Sequence, residues 1–461
     1  MSSSGEHPNI VFDETILSFL ADSFEAADQP DHHRQDSPKE EIRQEEGEQD
    51  KEEIEHDERQ GKTAYLYSQS CFVAPAPTLF RVLLNNYIAI VHPLYPILSS
   101  QQLQRILSET DSSASPSYGL PWILLHAICF ASVSHLAKFP DTELSTQNET
   151  RQVARQTYYQ RAKALFELDY EQNKLVLVQS VILLSEWDSN HRANTSEYYS
   201  TLTWINAGLS IAESLDFHKP SSTQAPNIPF WLRRRIWWVL LTKDTFCSSI
   251  LGKPFRIDIE SNQVPVLDRA DFPDFDNRNT NILTTICSLG VVLRSVISFR
   301  ISAQRRQREI SEFLPRILHQ LTVLKSTTQT PTHPGLTLIL AHITCYLYLQ
   351  IPARHLELLY EFSCAGIQDS IDSVLNIFGR DNNYEGDIYC SIPIEAWGGV
   401  VSAAVALLSD HNYLNKTSIQ QLQRVSRLNS ILEILNNSAS VWDSAPMVLG
   451  FLQVLRKSTF D

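Results

Sequence analysis

Glycine is scarce in this chain, with 14 residues in 461. Folds that cradle a nucleotide need glycine where the backbone approaches a phosphate, and neither GxGxxG nor GxxxxGK[ST] occurs, so nucleotide-binding turns are excluded. Cysteine is equally uninformative as a metal or disulfide framework. The seven cysteines, Cys71, Cys129, Cys247, Cys287, Cys345, Cys364 and Cys390, include no CxxC pair and are odd in number. They sit mostly among apolar residues, the pattern of buried reduced thiols. No GxSxG elbow and no HExxH helix is present. The chain opens without a basic segment followed by an apolar one, so secretion is not expected. Its two longest apolar runs are interrupted: Leu336 to Ala353 contains His342 and Gln350, and Ile282 to Phe299 contains Arg294. A bilayer span takes about 20 clean apolar residues, so both read as core helices and no membrane partner is expected. No catalytic, cofactor-binding or metal-ligating set emerges.

What is present is acid, and it is concentrated. The formal charge is −15, and residues 1–62 hold 19 Asp and Glu against 6 Lys and Arg, which leaves the rest of the chain at −2. A body that close to neutral has no bulk attraction for DNA, so contact with it is expected to be indirect. Residues 1–30 carry Phe12, Ile16, Phe19, Leu20 and Phe24 between Asp13, Glu14, Asp22, Glu25 and Asp28, with no lysine or arginine. Two readings fit: an acidic activation segment that folds in a coactivator groove, and an amphipathic helix that docks on its own domain. Residues 31–62 have Ile42 and Ile54 as their only large apolar side chains and read as a disordered acidic linker. His32 and His33 there lack metal-ligand spacing and read as solvated.

From about Thr63 to the C-terminus the pattern is helical throughout. Tyr87 to Leu98 reads as a helix stopped by two prolines, with His92 held extended by Pro93 and packed at the helix end. Pro121 to Lys138 and Arg151 to Ser189 follow, and Ser196 is placed to cap a helix marked by Leu202, Ile205, Leu209, Ala212 and Leu215. Ile310, Leu314, Ile317, Leu321 and Leu324 trace a face whose start carries Arg305, Arg306 and Arg308, a solvated basic trio. Further helices are expected around Leu336–Leu349, Ala365–Phe378, Ile394–Ser409, Ser418–Leu435 and Ala445–Arg456. Alternating strand patterns and fixed-length repeats are absent, so the fold class is all-α.

The densest stretch is Trp231 to Phe272, WLRRRIWWVLLTKDTFCSSILGKPFRIDIESNQVPVLDRADF. Leu232, Ile236, Val239, Leu240, Phe246, Cys247, Ile250 and Leu251 recur at helical spacing, and the other side is barely more polar, so the helix is expected inside a larger body. Arg233 and Arg234 stand four residues before Trp237 and Trp238, a spacing that lets guanidinium rest over indole. Gly252 and Pro254 end the helix. The acids that follow, Asp268, Asp271, Asp274 and Asp276, lack an EF-hand's glycine and terminal glutamate and read as a solvated loop.

This order of parts resembles the fungal-specific transcription factor regulatory domain, the middle homology region of zinc-cluster regulators. Val91-His92-Pro93 resembles its opening motif. Trp204, Gly208, Ala212, Leu215, Phe217 and His218 resemble its paired helices, and Arg233, Arg234, Arg235, Trp237, Trp238, Asp244, Gly252 and Pro254 its signature. Gly208 is expected to let a neighbouring helix approach. Relatives carry six cysteines in a basic N-terminal zinc cluster, which this sequence does not contain. The resemblance implies a nuclear regulator of metabolic or secondary-metabolite genes, targeted to DNA by a zinc-cluster partner or by a missing exon. Its implied partners are the transcription machinery or a coactivator, a second copy or a zinc-cluster relative, and a small-molecule effector. A decoy that withholds relatives from DNA, and a helical small-molecule-binding protein or enzyme, are the alternatives.

Overall fold

The computed structural model describes residues 59–112, 115–136, 151–186, 201–220, 227–258, 264–273, 277–302, 307–328, 333–350, 360–379, 388–409, 418–439, 441–442 and 444–460. The readings of residues 1–30, of His32 and His33, of Ser196 and of Arg305 and Arg306 lie outside them. The described residues form helices and connecting turns, with no strand among them. Residues 59–62, which composition assigns to the linker, are already helical, and that helix continues into the buried Leu66.

After that helix comes α1 (Pro77–Asn86). A π turn, Tyr87–Val91, and a short helical turn, His92–Leu94, continue from it. The sequence places His92 in extended backbone, but its φ of −63° and ψ of −35° are helical. Its amide closes onto Tyr87 O, five residues back, so the helical course runs on into Pro93, where a missing N–H costs nothing at the start of a new turn.

Next come α2 (Ser100–Ser112), α3 (Trp122–Ser134), α4 (Arg151–Glu167) and α5 (Lys174–Leu184). The middle of the chain gives α6 (Thr201–Ser214), α7 (Phe230–Leu251), α8 (Asn277–Ser302) and α9 (Gln307–Thr328). The C-terminal part adds α10 (Pro334–Gln350), α11 (Tyr360–Ile377), α12 (Trp397–Ser409), α13 (Ser418–Ser438) and α14 (Ala445–Phe460). Local chemistry sets their ends. The Asn173 side chain accepts from the amides of Leu175 and Val176 and so caps α5, where four N–H groups otherwise lack partners. Gly252 terminates α7 at φ +65°, a left-handed conformation that any Cβ would strain.

Packing follows the chain. Helix α3 lies on α4 and α5, α5 on α6, α6 on α7, α7 on α8, α8 on α10, and α10 on α11 and α12, which carries α13 and α14. Buried side chains from Leu66 to Leu452 form one continuous apolar cluster, so the domain has a single core. α3 and α7 are buried nearly all round, as apolar density predicts for a central helix. On α9, Leu314, Ile317 and Leu321 face the core at the expected spacing.

Two close approaches depend on glycine. A Cβ on Gly208 in α6 would stand 2.8 Å from Leu240 Cδ2 of α7, so the expected helix contact is there. A Cβ on Gly399 in α12 would stand 2.2 Å from the carbonyl oxygen of Leu338 in α10, a contact of helix against backbone. Ile282–Phe299 of α8 is, by length and composition alone, long and apolar enough to cross a membrane, and its one arginine does not disqualify it. What marks it as a core helix is where Arg294 goes.

Candidate functional site

Helix α7 carries a Lys-Asp dipeptide, Lys243-Asp244, in the middle of its apolar run, and both side chains are about 1% exposed. Burying a charge is costly unless it is paired and hydrogen-bonded, so each must have a partner supplied by the fold. Lys243 Nζ donates to Glu186 Oε1, just beyond the end of α5, and to Glu395 Oε1 at 2.6 Å, in the turn before α12. The ammonium also lies 4.0 Å from the ring centre of Tyr95, whose hydroxyl donates to Glu395 Oε2 at 2.6 Å. Burial opposes the charge on Lys243, but Glu186 and Glu395 outweigh it and hold its pKa above the ordinary lysine value. Burial and the same two carboxylates raise Tyr95 well above the ordinary tyrosine range. At neutral pH the site therefore holds an ammonium and a protonated phenol, and neither is poised as a base or nucleophile.

Asp244 turns the other way. Its Oδ2 accepts from Arg294 Nη2 of α8 at 2.6 Å, and its two oxygens accept the amides of Arg256 and Ile257 at 3.2 and 3.3 Å. Arg294 also donates from Nε to Thr245 Oγ1 at 2.5 Å and from Nη1 to the Ile257 carbonyl, while Phe255 covers its guanidinium at 4.2 Å. Burial draws the Arg294 pKa down and Asp244 counteracts it. Two cations and three carboxylates are thus paired in two clusters on different sides of α7, and they tie it to Tyr95, Glu186, Ile257, Arg294 and Glu395.

The N-terminal half of α7 fastens a loop by the same means. Arg234 pairs with Asp271 at 2.9 Å and donates to the carbonyls of Pro265 and Val266 at 3.0 and 2.9 Å. Trp238 Nε1 donates to Pro265 O at 2.8 Å. Asp268 and Asp271 close a reciprocal capping box around the turn Arg269–Asp271. The reading of the acidic loop as solvated is therefore wrong at Asp271, which is 1% exposed, because Arg234 and the Asp268 amide satisfy its carboxylate. Asp274 and Asp276 lie outside the described residues.

The expected stacking of Arg233 and Arg234 on Trp237 and Trp238 is also corrected. Both guanidinium groups lie over Phe230, at 5.5 and 5.6 Å, and Arg235 lies over Trp231 at 4.3 Å. Helical side chains lean toward the N-terminus, so these arginines reach rings one turn back, while Trp237 and Trp238 point into the core.

Of the remaining residues picked out from sequence, Gly208 meets α7 at Leu240. Trp237 lies against His218 at a ring distance of 5.9 Å. His92 is buried beside Tyr87, 5.7 Å between ring centres, and Pro93 is buried next to it. Pro254 lies in the exposed turn after Gly252. Sequence reasoning missed Tyr95, Glu186 and Glu395 as partners of the helix, and took Arg294 only as an interruption of an apolar run. The available signal was the same in three cases, a single charge at the centre or edge of a long apolar segment.

The fungal specific transcription factor domain matches residues 84–365, more than half of the sequence. The chain belongs to that family. Among its relatives are the cutinase transcription factor 1 beta of Fusarium vanettenii and the acetamidase regulatory protein of Aspergillus fumigatus. The first is 28% identical over 45% of this chain and 23% of its own length, the second 27% identical over 52% and 30%. A fusaric acid cluster transcription factor of Gibberella moniliformis is 22% identical over 53% of this chain and 37% of its own. The chain thus spans less than a third of the length of the first two. No solved structure matches it.

Proposed function

We propose that this chain is a nuclear regulator of transcription in a fungus, acting on genes for nutrient use or for clustered secondary-metabolite synthesis. The observation that carries the reading is the family match over residues 84–365, which contains the whole of α7 and its signature. Relatives named for cutinase, acetamidase and a fusaric acid cluster support the metabolic part. In this reading the helical body, residues 63–461, is a dimerising or effector-responsive regulatory domain and residues 1–30 recruit the transcription machinery. DNA recognition comes from a zinc-cluster partner or from a zinc-cluster segment outside this sequence. No catalytic role is assigned, since Lys243, Asp244 and Arg234 of α7 are committed to partners elsewhere in the fold.

Fusing residues 1–30 to a heterologous DNA-binding domain tests the activation part. A reporter driven at least several-fold above the unfused domain is expected; a silent reporter with the fusion expressed overturns it. A second reading is a decoy that pairs with zinc-cluster relatives and withholds them from DNA. Deletion of the gene separates the two, because target transcripts fall if the chain activates and rise if it is a decoy.

A further inference from the structure

The body's N-terminal edge carries an aromatic surface that its own fold leaves uncovered. Phe72 is the hub, with ring centres of Tyr67, Tyr170 and Trp122 at 4.7, 5.1 and 5.9 Å. Core aromatics make such contacts out of water, yet here Tyr67 is 67% exposed, Tyr170 46% and the adjoining Val73 53%. Large apolar groups scattered singly on a surface need no explanation, but rings gathered around one hub mark a place where something packs. Beneath them runs Arg161, which donates to the Val73 carbonyl at 3.3 Å and has no carboxylate partner among the described residues.

We infer that this surface is the docking site of the chain's own N-terminal segment, residues 12–28, held in cis. Three observations select that occupant. The segment offers Phe12, Ile16, Phe19, Leu20 and Phe24 for the rings and five carboxylates with no cation, the complement of an aromatic patch beside an unpaired arginine. The patch lies where the described residues begin: Tyr67 stands on a helix described from residue 59 onward, so the segment is tethered next to the surface it would cover. Read as a solvated chain, the stretch from Asp28 to Arg59 has a root-mean-square reach on the order of 30 Å, which places the segment at millimolar effective concentration over the patch. In cis the segment needs only weak intrinsic affinity to remain bound.

Docking does not depend on the segment being an activation segment, but its consequence rests on that reading. Covered, residues 12–28 are withheld from any coactivator, and a partner must displace them.

The test uses the full chain with the photocrosslinking residue p-benzoylphenylalanine at position 67. Irradiation at micromolar concentration is expected to join position 67 to a peptide within residues 12–28 in monomeric product, and Phe19→Asp is expected to abolish that product. Cross-links elsewhere only, or only between two molecules, overturn the inference. So does a cross-link that Phe19→Asp leaves intact. Position 67 is exposed, and an unchanged thermal melt of the Phe19→Asp chain separates loss of docking from loss of folding. In a full-chain fusion to a heterologous DNA-binding domain, Tyr67→Asp with Tyr170→Asp is expected to raise reporter output several-fold, and an unchanged output from a chain whose residues 1–30 activate alone overturns the regulatory consequence. If residues 1–30 are silent alone, the activation reading fails while the cross-link still decides docking.

Discussion

Replacing Lys243 with methionine removes the one cation between Glu186 and Glu395 and fills its volume with an apolar chain. The side chains of Glu186 and Glu395 are 3% and 6% exposed, so both carboxylates are left in the core without their counter-charge. Removing one member of a buried ionic cluster costs about 3–5 kcal/mol, against a total stability of about 5–15 kcal/mol for an ordinary domain. Neutralising the rest of the cluster removes most of that cost, because isosteric neutral groups can replace a buried ion triad with little loss. Lys243→Met alone is therefore expected to lower the urea midpoint strongly, and Lys243→Met with Glu186→Gln and Glu395→Gln to recover most of it, followed by tryptophan fluorescence.

The pH dependence gives a second reading of the same substitution. In the parent chain the raised Lys243 pKa contributes stability that is fully present below the unfolded value of about 10.4 and is lost only as pH rises through the folded value, so pH 5 to 8 is flat for this group. In the Lys243→Met chain that contribution is absent, so the loss of stability that the parent shows above about pH 10.4 is expected to shrink. A single-variant cost below about 1 kcal/mol, or a triple variant no better than the single, would refute the assignment of α7 as an ionic keystone.

Gly399→Ala is expected to cost more than about 3 kcal/mol, because the clash is with the Leu338 carbonyl, whereas Gly208→Ala meets only the movable ends of Leu240 and Val181 and stays within about 2 kcal/mol; thermal melts rank them. His126 and His342 are held by burial to about 4 against an ordinary 6.5. Protons are then taken up by the unfolded chain alone as pH falls from 6.5 to 4, removing stability on the order of 3 kcal/mol per histidine, and His342→Gln is expected to flatten that slope by one proton in urea titrations. Cys71, Cys129, Cys247, Cys287 and Cys345 are buried thiols whose pKa values burial raises, Cys71 to about 11 and Cys345 to about 12. They are expected to resist iodoacetamide at pH 8 until urea is added, read by mass spectrometry.

The helices were legible because their faces repeat at helical spacing and because α3 and α7 are apolar nearly all round, which only a central position accommodates. Gly208 and Gly252 were legible through their chemistry. Asp271 was misread because a carboxylate among prolines and other acids is usually solvated; only the three-dimensional return of the loop onto Arg234 buries it. His92 was misread because the pre-proline rule does not foresee a π turn. The partners of Lys243 stand 57 and 152 residues away, and no periodicity connects them. Sequence alone shows a lone charge in an apolar helix and requires a partner for it, but it does not say which of the other lone charges answers.

Glu395 lies thirty residues past the stretch that defines the family. A protein trimmed to those limits for expression would keep the lysine and one of its two anions, lose α12, and strip the Gly399 side of α10 down to bare apolar surface. Fragments for biochemistry are better cut after residue 460, and insolubility of shorter ones reports a severed keystone rather than a faulty host.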